Sequence, residues 1–93
     1  MGDNYEKLFN FLGSWFPDMD FEGLTDEEVV KEYKKTIGSI ELNDVITEGQ
    51  DVGKKIDDYW KIISKETNLY FNDPNEALLW LKSIIKLLKK DLN

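Results

Sequence analysis

Cysteine, histidine and arginine are all missing from this chain of 93 residues, and proline occurs only twice. Each absence removes a class of function. Without cysteine there is no disulfide and no thiolate nucleophile, so the fold rests on packing and suits a reducing compartment. Without histidine there is no imidazole base and no zinc site of the usual kind. Lysine supplies every positive side chain, and it cannot grip a guanine edge bidentately as arginine does. No apolar run approaches the roughly 18 residues that a membrane-spanning helix needs. The first residues, MGDNYEKLFNF, show neither the positive region nor the apolar run of a signal peptide. Glu6 also stands where a myristoylation motif wants Ser or Thr. A cytoplasmic protein with no membrane partner is expected.

What is present is an ordinary globular composition carrying an unusual charge. Hydrophobic residues make up 41% of the chain and charged residues 33%, enough for one small domain over residues 1–93. The formal net charge is −7. Residues 1–58 hold fifteen acids and six lysines, whereas residues 59–93 hold four acids and six lysines. A chain of this sign repels a polyphosphate, so nucleic acid is not an expected partner. A basic protein surface is.

Helical signals run along the whole chain. Asp3-x-x-Glu6 reads as a capping box, followed by Tyr5, Leu8, Phe9 and Leu12 at helical spacing until Gly13, which is expected to end the run. An aromatic, acidic loop over 14–23 is expected next. Thr25-Asp26-Glu27-Glu28 is a clearer capping box, with Leu24 placed to staple onto Val29 and with Val29, Val30, Tyr33 and Ile37 on one face. Ser39 is the expected cap of a third helix. Its apolar phase runs through Leu42, Val45, Ile46, Val52, Ile56, Tyr59, Trp60 and Ile63, with Gly49 as a gap. Gly49 and Gly53 each cost about 1 kcal/mol against Ala in a helix, which predicts two helices with a bend between them.

Asp73-Pro74-Asn75-Glu76 announces the last helix, with Asp as cap and Pro at the first position. Its stripe is Ala77, Leu78, Leu81, Ile84, Ile85, Leu88 and Leu92, and Lys82, Lys86, Lys89 and Lys90 lie mostly opposite. Only Leu69–Phe71 has extended character. The reading is all-α: a single-domain bundle of four to five helices, monomeric when free.

Candidate chemistry is sparse. Asp18-x-Asp20-x-Glu22-Gly23 opens like an EF-hand calcium loop, but Val29 stands where the bidentate Glu belongs. It reads as a solvated acidic loop, and no metal or other cofactor is expected. Gly38-Ser39-Ile40 resembles the attachment serine of small acidic carrier proteins, with Gly38 in place of the usual Asp; the plainer reading makes Ser39 a helix cap. Paired carboxylates do general acid–base work in some enzymes, but with no histidine, no nucleophile context and no pocket-sized domain no enzyme activity is expected here. Trp15, Trp60 and Trp80 are expected to pack in the core or at its rim.

The acids themselves carry the functional reading. Asp26, Glu27 and Glu28 are explained by the helix start they decorate. Asp18, Asp20 and Glu22 have no such role and sit among Trp15, Phe16, Met19 and Phe21, a mixture suited to contacting a basic protein. Asp44, Glu48 and Asp51 fall four and three apart on one helical face. Like charges at this spacing destabilise a helix by a few tenths of a kcal/mol per pair, which points to a partner rather than to the helix itself. These six acids are the candidate partner-binding residues.

Two blocks of sequence resemble a known family. Phe11-Leu12-Gly13-x-Trp15-Phe16-x-Asp18-x-Asp20, followed by Thr25-Asp26-Glu27-Glu28-Val29-Val30 and Tyr33, is similar to the N-terminal signature of contact-dependent growth inhibition immunity proteins. Tyr70, Pro74 and Trp80-Leu81 resemble that family's closing elements. The matching positions cover about residues 9–36 and 70–88, while residues 38–66 keep the apolar rhythm without the family's leucine-rich pattern. The resemblance implies a small helical cytoplasmic protein that binds the toxic C-terminal domain of a surface-delivered effector in a 1:1 complex. Such toxins are often nucleases with basic clefts, against which an acidic protein acts as a plug. The alternative reading is a small acidic carrier or adaptor with Ser39 as its attachment site.

Overall fold

The start signals become five helices in the computed structural model, which describes residues 5–17 and 23–90. They are α1 (Glu6–Trp15), α2 (Asp26–Thr36), α3 (Ser39–Lys54), α4 (Ile56–Thr67) and α5 (Pro74–Lys89). Among the described residues there is no strand, and the chain is all-α as expected. The segment 69–71 forms no strand and connects α4 to α5.

Two helix starts form as the sequence dictates. The Thr25 side chain accepts from the Glu28 N–H at 3.2 Å, and the Glu28 carboxylate accepts from the Thr25 N–H at 2.9 Å. Asp73 accepts from the Glu76 N–H at 2.9 Å, with Pro74 at the first helical position. Both devices satisfy backbone donors that a helix start leaves open. Thr25→Ala should therefore lower stability by about 1 kcal/mol, and Thr25→Ser should restore most of it. Urea midpoints of the three proteins check this.

Other boundaries differ from expectation. Helix α1 runs through Gly13 to Trp15, and Phe16 closes it with an N–H bond to the Leu12 carbonyl. The glycine penalty of about 1 kcal/mol is smaller than the gain from burying an aromatic such as Phe16. Asp3, the expected cap, lies outside the described residues, as does Leu92. Gly38, with extended backbone, caps α3, and Ser39 is the first helical residue with no capping bond. The bend between α3 and α4 is real. It falls at Lys55 rather than at either glycine.

Helix α5 is the hub. It packs against α2, α3 and α4, while α1 lies across α3 and α4. Its expected stripe is buried at Ala77, Leu81, Ile84, Ile85 and Leu88. Aromatic rings tie the layers together. Phe11 stacks on Tyr33 with centroids 4.1 Å apart and meets Phe16 edge-on at 5.4 Å. Phe16 meets Trp80 at 5.1 Å, and Trp80 in turn contacts Phe71 at 5.8 Å. Helix α4 ends on Asn68 in the left-handed region, a conformation asparagine tolerates. Below it the buried Thr67 hydroxyl donates to the Ile63 carbonyl at 2.7 Å.

Candidate functional site

The acidic row on α3 meets the beginning of α1. Lys7 Nζ donates to Asp44 at 2.6 Å, the Leu8 N–H donates to Glu48 Oε1 at 2.9 Å, and the Tyr5 hydroxyl donates to Asp51. Lys55 joins the last pair, donating to the Tyr5 oxygen at 3.0 Å and lying 3.7 Å from Asp51. Leu8 is the third residue of α1, and Tyr5, its N-cap, makes no side-chain capping bond. Glu48 therefore caps α1 from another helix. A carboxylate there also complements the positive end of the helix dipole.

The repelling row is hard to justify on the stability of its own helix alone, and the fold supplies a further reason for it: each of its three carboxylates holds a group at the start of α1. None of these pairings was visible in sequence, because they join positions 37 to 46 residues apart. The row nevertheless stays at the surface. Lys7, Asp44, Asp51 and Lys55 side chains all remain 43–45% exposed.

Electrostatics follow the geometry. The hydrogen bond from Tyr5, aided by Lys55 and Lys54, holds the Asp51 carboxyl below its ordinary value despite some desolvation. The bond to Asp44 pushes the Lys7 ammonium up, and the bond to Asp51 pushes the Tyr5 hydroxyl up. Burial pushes the Tyr33 hydroxyl up to about 12, with the charges of Glu41 and Glu48 acting in the same direction. These signs set the pH dependence. For Tyr33 the folded state favours the protonated form, so its contribution is complete below pH 10.0 and is lost as the pH rises toward about 12. Tyr5 and Lys7 weaken the fold in the same alkaline range. Asp51 has the opposite sign, its contribution being lost as the pH falls below 3.8. Tyr33→Phe should flatten part of the alkaline limb in urea titrations carried from pH 9 to about 12, leaving the share of Tyr5 and Lys7 and the acid limb unchanged.

The remaining candidates fall elsewhere. Asp18, Asp20 and Glu22 lie outside the described residues. Ser39 is exposed, its hydroxyl makes no hydrogen bond among the described residues, and Ile40 beside it is 80% exposed. Trp15, Trp60 and Trp80 are half-buried, at the core's rim. Three of the residues that carry the family resemblance meet in space, whereas Tyr70 is 82% exposed. Phe16 of the first block touches Trp80 of the second, whose indole N–H donates to Asp26 at 3.0 Å. Their packing accounts for their presence without a partner. No protein-family model, no curated protein and no solved structure matches the chain.

Proposed function

We propose that this protein is a non-catalytic inhibitor that binds and neutralises the toxin domain of a contact-dependent growth inhibition effector. In this reading it works in the cytoplasm as a 1:1 complex, its carboxylates occupying a basic, nuclease-like surface. One observation carries the reading: α1 fixes the orientation of the Asp44, Glu48 and Asp51 carboxylates while leaving them at the surface. An ionised carboxylate has about four acceptor sites, so one internal bond leaves capacity for a partner's lysine or arginine. Groups already ordered cost less entropy to bind. The resemblance in residues 9–36 and 70–88 supplies the class of partner.

The experiment is protection of cells expressing the C-terminal domain encoded by the adjacent reading frame. Charge reversal on α3 would also break the anchor of α1, so the informative variants are isosteric. Asp44→Asn with Glu48→Gln keeps an oxygen for Lys7 and for the Leu8 N–H while removing two charges. Protection should fall sharply with this pair, and with Asp18→Asn and Asp20→Asn, but not with Glu27→Gln and Glu32→Gln on α2. Equal protection by all three would sink the acidic plug.

A second reading rests on Ser39, exposed at the first turn of α3 beside an exposed isoleucine. A carrier would gain the mass of a phosphopantetheine on Ser39 after incubation with a phosphopantetheinyl transferase. An unchanged mass removes that reading.

A further inference from the structure

We propose that the lysine-lined groove between α2 and α5 is a second docking surface, which takes an acidic amphipathic helix from a partner protein. This surface lies apart from the acidic row on α3 and does not depend on the toxin reading. Two adjoining hollows of about 420 and 960 Å³ share Glu27, Leu87 and Lys90 and together form the groove. Seven of the chain's twelve lysines line it, in a protein of net charge −7. The sequence showed only half of this concentration, because the lysines of α2 sit in the acidic part of the chain.

Its details choose among occupants. Leu87 supplies a half-buried apolar floor with Val30 beneath it, and the lysine stems extend that apolar lining. Lys34 is already committed, donating to the carbonyls of Leu87 at 3.2 Å and Lys90 at 2.6 Å. Lys31, Lys82, Lys86 and Lys89 are exposed and make no hydrogen bond or ion pair among the described residues. Lys82, Lys86 and Lys89 recur four and three residues apart, along a helix that rises about 1.5 Å per residue. Carboxylates at the same spacing on a second helix match them. An extended strand, repeating its side chains about every 6.6–6.8 Å on one face, drifts out of register. Asp26 in one hollow and Glu27 where the two hollows join repel a uniform polyanion, as does the net charge. This disfavours nucleic acid and anionic membrane and favours a short protein segment laid into the groove.

The test uses the full chain and a labelled, N-acetylated peptide of about 15 residues, with Glu at i, i+4 and i+7 beside a leucine stripe. A scrambled peptide of the same composition is the control. Fluorescence polarisation at about 0.15 M salt should show the amphipathic peptide binding at least roughly tenfold more tightly than the scramble. Lys82→Glu with Lys86→Glu should remove that advantage, and Lys31→Glu on the opposite wall should weaken it. Asp44→Asn with Glu48→Gln should leave it unchanged. Equal binding of the scramble, indifference to the lysine variants, or no binding at about 1 mM overturns the proposal. So does tighter binding of a DNA oligonucleotide or of phosphatidylserine vesicles, or occupation of the groove by a second copy seen as a lysine-dependent dimer in sedimentation.

Discussion

Phe11→Ala is expected to lower stability by about 3–5 kcal/mol, the largest effect of any single truncation discussed for this chain. Phe11 is 2% exposed and stands where three elements meet. It stacks on Tyr33 of α2, meets Phe16 at the end of α1, and through Phe16 reaches Trp80 of α5. Truncation removes the apolar area, leaves a cavity walled by rigid rings that cannot collapse, and forfeits the aromatic pairing of about 0.5–1.5 kcal/mol. A domain of this size is stable by roughly 0.05–0.15 kcal/mol per residue, so the loss is a large part of the total. Urea unfolding followed by tryptophan fluorescence measures it. A loss below about 1 kcal/mol would mean that α1 and α2 do not close around this ring.

Gly49→Leu is expected to cost about 3 kcal/mol, through overpacking rather than loss. A Cβ at Gly49 would lie 3.2 Å from both Cγ1 and Cδ1 of Ile85 and 3.7 Å from Leu8 Cδ1. Here α3 packs tightly on Ile85 of α5, with Leu8 of α1 also in contact, so a leucine can be seated only by pushing Ile85 aside. Gly53, one turn further along α3, is the internal control. Its Cβ would sit at ordinary contact distances, 3.5 Å from Leu78 Cδ1 and 3.9 Å from Leu81 Cδ2. Gly53→Ala should therefore gain helix propensity and stabilise the protein by about 0.5–1 kcal/mol. Opposite signs at the two glycines are the signature of the packing described. A tolerated leucine at Gly49 would show that α3 and α5 stand further apart.

The two glycines also show what sequence alone could and could not convey. Periodicity marked Gly49 as a gap in an apolar stripe, and local propensity made it a helix breaker. The gap is a point of tight packing against Ile85, and the break falls at Lys55. Local chemistry was legible wherever it acts over three or four residues, as at Thr25–Glu28 and Asp73–Glu76. Gly13 misled because tertiary burial of Phe16 outweighs a local penalty. The acidic row was legible as a row, since its spacing is a property of one helix. Its internal partners Tyr5, Lys7 and the Leu8 N–H were not, since nothing in a linear pattern reports which helix end will be laid against it. The lysine groove was half hidden for the same reason: α2 and α5 are brought side by side only by the fold.

The central claim is that carboxylates on α3, ordered by α1, steer and hold a basic partner. The most direct measurement is the association rate with the proposed partner, a candidate toxin domain sought in the adjacent reading frame, by stopped flow from about 0.01 to 1 M salt. The account predicts fast association at low salt that slows steeply as the Debye length falls from about 30 to 3 Å. It also predicts that Asp44→Asn with Glu48→Gln slows association roughly tenfold at low salt, whereas Glu27→Gln with Glu32→Gln, carrying the same net charge, does not. Identical, salt-insensitive rates for all three proteins would contradict it and assign the binding to an apolar contact.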